Sequence, residues 1–430
     1  MDYQETMDWL HSLEGRGIKL GLDNIKELLA RLGDPQEQFR SVHVAGTNGK
    51  GSVSAMLYSV LHAHGFRTGL YTSPHIIDFR ERMQFNGGLI SQQHLCRLAE
   101  EVRGHIEDMC LVNPEACPTF FEATTALAFL YFADMNAEWA VVEVGMGGRL
   151  DATNVIRPEC CIITRIGLEH TDYLGDTLEK IAGEKAGIIK EGVPVVTAEE
   201  AEEALKVISS RAEEHHSRLH VVEEGKDFRL VSSDLEGTRV HLYRLGREAQ
   251  LPLLGSYQAA NVAMAYVAVE CLRSRGFGIS DEAVLDGLAK VKWPGRLELV
   301  HRHPYLFFDA THTAQGANVV ARDLERLMPK GRLILVIGVL KDKDLRGVVR
   351  PFARISSKAF AVAPLTERAY PVEKVSQAVS ELTECHTASS VAEGLRLALA
   401  EADPMDTILV TGSIYTIGEA KAWWEANGPR

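Results

Sequence analysis

Two hydrophobic periods alternate along this chain. Over 42–61, VHVAGTNGKGSVSAMLYSVL, the β-branched pair Val42 and Val44 leads into a glycine-rich turn, and Val53, Met56, Leu57, Val60 and Leu61 then recur at i, i+3, i+4, i+7 and i+8. The second pattern is one face of a 3.6-residue helix, so the stretch predicts strand, glycine loop and helix in that order. Ser52 stands where the helix N-cap belongs and Gly65 where the helix should stop. Upstream, Trp9, Leu10, Leu13, Ile25, Leu28, Leu29 and Leu32 predict helix over 5–33, ended by Gly33-Asp34-Pro35.

Downstream, Thr68–Thr72 predicts a strand that delivers Ser73, and FRERMQFNGGLI (79–90) has the composition of a mobile loop. Ser91 opens a helix to about 107, and TFFEATTALAFLYFA (119–133) an apolar helix with Glu122 near its start. Glu122 there suits the helix dipole as well as it suits a substrate. WAVVEV (139–144) and CCIITRIG (160–167) are continuous apolar runs of the parallel-sheet kind, and IAGEKAGIIK (181–190) is helical. Short strands surround an acidic helix at 198–214, and a long helix starts near 255 with Asn261 in its first turns. WPGRLE (293–298) has the Pro and Gly of a hinge. Beyond it, LFFDA, RLILVIGVL, AFAVAP and TILVTGSIY alternate with helical segments, which predicts a second doubly wound parallel sheet. The boundary is expected at 296, giving domains 1–296 and 297–430.

Composition narrows the classes. A chain of 430 residues, 46% hydrophobic, has room for two or three domains. The net charge of −13, with no basic stripe, argues against a nucleic-acid surface. Seven cysteines without a C-x-x-C pair read as reduced core thiols of a cytoplasmic protein. The acidic start lacks a signal-peptide core, and no apolar run reaches the roughly 18 residues of a membrane helix, so no membrane partner is expected.

The chemistry gathers at predicted strand ends, where open α/β sheets hold ligands. The loop Thr47–Ser52 offers free N–H groups and a helix N-terminus to phosphate, Lys50 adds charge, and Ser52 offers a hydroxyl for Mg²⁺. The spacing is unusual: Val44 stands where the common loop has its first Gly, and Gly51 separates Lys50 from Ser52. Glu143, before Gly145-Met146-Gly147-Gly148, sits where a Mg²⁺-side acid belongs. His170 shares that edge with Glu143 and Ser73, although a lone His is more often simply a satisfied side chain. Lys185, among small residues, is either a solvated lysine or a buried and chemically special one.

The segments AGTNGKGS, TSPH with FRERM, EVGMGGRLDATN, GLEHTDYLG, EKAGIIK, GSYQAAN, WPGRLE and LKDKD together resemble the folylpolyglutamate synthase/dihydrofolate synthase family of Mur-type ATP-dependent amide ligases, over about 40–417. The resemblance implies an α/β fold: a P-loop-type ATP-binding domain with a mostly parallel sheet, then a smaller Rossmann-like doubly wound C-terminal domain. It implies ATP on Thr47, Asn48, Gly49, Lys50, Gly51 and Ser52, with Asn261, Arg296, Asp309 and His312 also nucleotide-binding. It implies Mg²⁺ on Ser73, Glu143 and His170, and a carbamylated Lys185. Lys50, Lys185 and His170 would be the catalytic groups. Thr119, Leu150, Asp151 and Ala152 match the pterin-binding surface, with Phe121 stacking near it.

The implied substrates are dihydropteroate, reduced folates and L-glutamate, joined through an acyl phosphate by a monomer. The alternatives are folylpolyglutamate synthesis only, a Mur-type ligase acting on another carboxylate, a nucleotide switch, or an inactive member. One departure stands out. The family pattern Asp-Gly-Ala-His-Asn is here Asp309-Ala310-Thr311-His312-Thr313, which keeps Asp309 and His312 in register but puts the local turn in question.

Overall fold

The structure is a computed structural model that describes residues 1–17 and 19–429. Residue 18, inside the expected first helix, and residue 430, at the end of the expected second domain, lie outside the described residues. The expected helix over 5–33 is two helices, Tyr3–Ser12 and Asp23–Arg31. Asp2 caps the first with a capping box, and Gly17 and Gly21, both at positive φ, stand between the two.

Eight strands form the first sheet: β1 (Arg40–Ala45), β2 (Thr68–Tyr71), β3 (Met83–Phe85), β4 (Gly88–Leu89), β5 (Trp139–Glu143), β6 (Cys160–Ile163), β7 (Val195–Thr197) and β8 (Leu219–Val221). Their order is β4-β3-β2-β5-β1-β6-β7-β8, parallel from β2 to β8. The 79–90 segment is therefore no mobile loop. It supplies the antiparallel hairpin β3–β4 at the sheet edge. Asn86 and Gly87, both at positive φ, make the Asn-Gly turn that a tight hairpin requires. The Asn86 side chain accepts from the Thr68 N–H at 2.9 Å, which pins the turn to β2.

Alternation along the central strands sorts side chains into two helix layers. Trp139 and Val141 pack with the helices Lys50–Ala63, Gln258–Ser274 and Asp281–Lys290. Ala140 and Val142 pack on the other side with the two N-terminal helices, Gln92–Val112 and Phe120–Asp134. Both layers are closed, which is why β5 and β6 read as continuous apolar runs.

A small antiparallel sheet, β9 (Phe228–Asp234), β10 (Gly237–Leu242) and β11 (Arg247–Leu251), follows, and Val240, Leu242, Ala249 and Leu251 join the first of these cores. β9 and β11 were not foreseen, because their alternating polar residues give no continuous apolar run. The last sheet comprises β12 (Glu298–Arg302), β13 (Tyr305–Phe308), β14 (Leu333–Ile337), β15 (Lys358–Ala361), β16 (Glu384–Thr387) and β17 (Thr407–Thr411). Its order is β12-β13-β17-β14-β15-β16, parallel except for β12.

The cysteine expectation needs one correction. Cys110 and Cys117 are joined as a disulfide, because the turn Pro114–Ala116 folds the chain back after the helix Gln92–Val112. Cys96, Cys160, Cys161, Cys271 and Cys385 are free. Among the described residues no helix is long and apolar enough to cross a membrane.

Candidate active site

The glycine loop leaves β1 at Ala45 and turns on two residues that only glycine suits. Gly46 has φ 142°, and a Cβ there would lie 1.8 Å from Thr164 Oγ1. Gly49 has φ 96°, and a Cβ would lie 2.8 Å from Asn261 Oδ1. Gly49 is also the residue that precedes the helix, which begins at Lys50. Ser52 is thus not the N-cap. The left-handed turn at Gly49 starts the helix early and carries Ser52 into its first turn, where it is buried. The Thr47 and Asn48 N–H groups donate to the Arg165 carbonyl at 2.9 and 3.2 Å, and the Thr47 hydroxyl bonds Gly167. The loop is held from the segment that follows β6.

Two ammonium groups meet at this loop. Lys50 donates to the Gly46 and Thr47 carbonyls at 3.0 and 3.3 Å. Lys185, 4% exposed, donates to the same Gly46 carbonyl at 2.7 Å. Among the described residues neither has a carboxylate within ion-pair reach. Burial, and then the nearby Lys50 charge, lowers the Lys185 amine to about 7. Lys185 is therefore the buried lysine of the two readings, and a substantial fraction is neutral near pH 7.

Glu143 closes β5 and is buried, and its carboxylate accepts the Ser73 N–H at 3.2 Å. Burial raises the Glu143 carboxyl, against the pull of Lys50 and Arg296. His170 is in the left-handed region at φ 51° and lies 3.7 Å from Glu169. Burial lowers its imidazole to about 4, so it is neutral and keeps a nitrogen lone pair for a metal. Among the described residues no group of three or more His, Cys, Asp or Glu side chains is placed to hold a metal ion. Of the expected Mg²⁺ residues, Ser73 and Glu143 meet through the 3.2 Å hydrogen bond and offer the oxygen donors that Mg²⁺ prefers, whereas His170 meets Glu169 and would bring a nitrogen.

A cleft of about 540 Å³ opens in front of the loop. Thr47–Ser52, Glu143, Asn261, Arg296 and His312 line it, together with Tyr257 and Gln315. Asp309 is not among the lining residues. It is fully buried, and its carboxylate accepts the N–H groups of Leu297 and Thr311, both at 2.9 Å, tying the segment after Arg296 to the turn at 310–313.

The departure at 310–313 costs the fold nothing visible. Thr313 caps the helix Ala314–Leu327 by accepting the Gly316 N–H at 3.1 Å. From the same turn Gln315 accepts from the Asn48 side chain at 3.2 Å, so the C-terminal sheet unit grips the phosphate loop. His312 Nε2 lies 2.8 Å from Glu169, which Lys343 also reaches at 3.1 Å. Burial would raise the Glu169 carboxyl, but His312, Lys50 and Lys343 hold it well below the usual carboxylate range.

None of the expected pterin residues lines this cleft. Thr119 is a helix N-cap whose N–H and hydroxyl both donate to Glu122, at 2.8 and 2.9 Å. Glu122 thus has the capping role. Phe121 lies over Gly145, where a Cβ would be 2.3 Å from its ring, and stacks on Tyr71. Asp151 accepts the Met146 and Thr153 N–H groups at 2.9 and 3.0 Å, so it shapes the glycine loop that ends in Leu150 and Ala152.

The Mur ligase middle domain family matches residues 44–269, and the Mur ligase glutamate ligase domain family matches residues 295–414. A dihydrofolate synthase/folylpolyglutamate synthase of Bacillus subtilis is 35% identical, over 97% of this chain and 98% of its own length. The chain belongs to the dihydrofolate synthase/folylpolyglutamate synthase family of Mur ligases. Among solved structures, Mycobacterium tuberculosis folylpolyglutamate synthase complexed with ADP has a TM-score of 0.90 at 30% identity, over 100% of both chains. A bifunctional folylpolyglutamate synthase/dihydrofolate synthase with Mn, AMPPNP and L-glutamate bound has a TM-score of 0.84 at 29% identity, over 98% of both chains.

Several site residues of this family member escaped the sequence reading. Glu169 entered the sequence reading only as part of the segment GLEHTDYLG, and its partners His312 and Lys343 come from the other sheet unit. The signal available for Lys343 was the segment LKDKD, one of the weaker parts of the resemblance. Asn48 was assigned to phosphate, but nothing in sequence tied it to Gln315, a contact spanning 267 positions.

Proposed function

We propose that this chain joins L-glutamate to dihydropteroate, giving dihydrofolate, and to the γ-carboxylate of reduced folates, using ATP through an acyl phosphate. The observation that carries this reading is the convergence of two lysine side chains, Lys50 and the buried Lys185, on the Gly46 carbonyl of the glycine loop, with no carboxylate in ion-pair reach of either among the described residues. Such a place is built for anions, and the relatives' printed ligands are nucleotide and glutamate.

In this reading the N–H groups of Thr47–Ser52 and Lys50 hold the phosphates of ATP. Asn261, Arg296, His312 and the turn braced by Asp309 bind the rest of the nucleotide. Ser73, Glu143 and His170 would hold Mg²⁺, which supplies charge neutralisation at the transferring phosphoryl group. A carboxylate is a poor acyl donor, so the substrate carboxylate takes the γ-phosphoryl group first. The glutamate amine then attacks the carbonyl carbon, and inorganic phosphate leaves. Lys185, partly neutral, can take up CO₂ as a carbamate and become an anion beside the metal set. Phe121, Thr119 and the loop Leu150–Ala152 carry the pterin. Domains 1–296 and 297–430 close on the hinge at WPGR and exclude the water that would hydrolyse the acyl phosphate. The enzyme acts as a monomer in the cytoplasm.

The deciding experiment follows ATP-dependent phosphate release with Mg²⁺ and L-glutamate, supplying dihydropteroate or tetrahydrofolate, with mass spectrometry of the products. One added glutamyl residue on each substrate is expected. Addition to tetrahydrofolate alone would leave a folylpolyglutamate synthase, and ADP without glutamylated product would overturn the proposal.

A further inference from the structure

Gly51 interrupts the usual Lys-Ser order of the phosphate loop, and the geometry supplies a reason. A Cβ on Gly51 would stand 2.2 Å from Cζ2 of Trp293, 2.8 Å from its Cε2 and 3.1 Å from its Nε1. Unlike Gly46 and Gly49, Gly51 lies inside the helix Lys50–Ala63, with no left-handed backbone to explain it. Glycine stands there because the edge of an indole needs the space, and a packed contact of this kind tolerates no added methyl.

Trp293 belongs to the hinge segment. Two residues on, the Gly295 carbonyl accepts the Ala310 N–H at 2.9 Å, and Leu297 donates to Asp309 at 2.9 Å, so the segment is fastened to the C-terminal sheet unit. Arg296, next to Gly295, lines the nucleotide cleft. The indole packs against the core that holds Val53 and Met56 of the phosphate-loop helix, yet its buried Nε1–H has no acceptor.

We propose that Trp293 is a positioning residue of the ligase: its indole edge, seated on Gly51, couples the angle of the hinge to the conformation of the phosphate loop. Filling of the loop and closing of the C-terminal unit then assist each other through one steric contact. The inference rests on the assignment of Thr47–Ser52 to the phosphates of ATP.

The test is a double-mutant cycle on the full chain with Gly51→Ala, Trp293→Ala and both together, reading equilibrium binding of a non-hydrolysable ATP analogue with Mg²⁺, kcat, and KM for ATP. Gly51→Ala is expected to weaken analogue binding about tenfold by driving the ring away, and Trp293→Ala to recover most of that loss in the double variant. Trp293→Ala alone should lower kcat by about tenfold while analogue affinity changes by less than about threefold. A merely structural ring would lower Tm and leave that split absent. Should Trp293→Ala fail to fold, Trp293→Phe serves, since its shorter ring stops short of the Cζ2 position and should give the same rescue. Additive losses in the cycle, or an unchanged kcat in folded Trp293→Ala, would overturn the coupling while leaving the phosphate-loop reading intact. Absence of analogue binding by the unmodified chain would overturn both.

Discussion

The Lys185 ammonium donates to the Gly46 carbonyl at 2.7 Å, so a residue from the helix Leu178–Ala186 touches the first glycine of the phosphate loop. The contact buries an amine next to a second cation, which explains the lowered value of about 7. Between that value and the ordinary lysine value near 10.4 the unfolded chain binds more protons than the folded one, so stability rises with pH across this window. Replacing Lys185 with Met should flatten that rise, seen as a smaller gain in Tm from pH 7 to pH 9 than the unmodified protein shows. If the amine is carbamylated in use, rigorously CO₂-free buffer should lower kcat and bicarbonate restore it in the unmodified enzyme only.

Lys50 lines the cleft and reaches only carbonyl oxygens. Removing one electrostatic donor from a preorganised site typically costs about 10²–10³ in rate, so Lys50→Ala should lower kcat by that factor with an unchanged circular dichroism spectrum. Ordinary turnover by this variant would end the ligase reading.

Glu169 ties the two sheet units through His312 and Lys343. Removing one partner of a largely buried ion pair costs about 3–5 kcal/mol, so Glu169→Gln should lower Tm clearly at pH 7.5. Because the folded carboxyl sits below its unfolded value of 4.5, this contribution is present above that pH and is lost as pH falls. The gap in Tm between the two proteins should therefore narrow below about pH 5.

Thr313 stands where the family pattern has Asn, and it caps the helix Ala314–Leu327. Asn is as good an N-cap as Thr, so Thr313→Asn should leave Tm and KM for ATP nearly unchanged. Thr313→Ala loses about 1 kcal/mol of capping, and KM for ATP should rise with it, since the next turn carries Gln315 against Asn48. Equal kinetics for the Ala and Asn variants would show that the cap has no bearing on nucleotide binding.

Most strands and helices were legible in the chain because they depend on neighbours within a few positions. The apolar run 139–144 and the face Val53, Met56, Leu57, Val60 and Leu61 are local periodic signals, and burial on both sides of β5 made the first of them continuous. The phosphate loop was legible for the same reason, since strand, glycines, Lys50 and helix are consecutive. Helix starts were less so: Ser52 has the right chemistry for a cap, but the backbone at Gly49 decided where the helix began.

What the tertiary structure alone decided is which distant groups share space. Asp309 gave no sign in the sequence of how it packs: it is buried, and the fold brings the Leu297 and Thr311 N–H groups onto its two oxygens. Glu169 looked incidental and became the anchor between sheet units, once His312 and Lys343, 143 and 174 positions away, closed on it. Gly51 looked like an irregular loop until Trp293 was seen against it. The chain by itself determined the elements and the phosphate-binding turn, through short-range periodicity and backbone preference. Packing determined the charge state of Lys185, the clamp on Glu169 and the need for glycine at 51, since desolvation, ion pairing and steric exclusion act across space and leave no periodic trace in sequence.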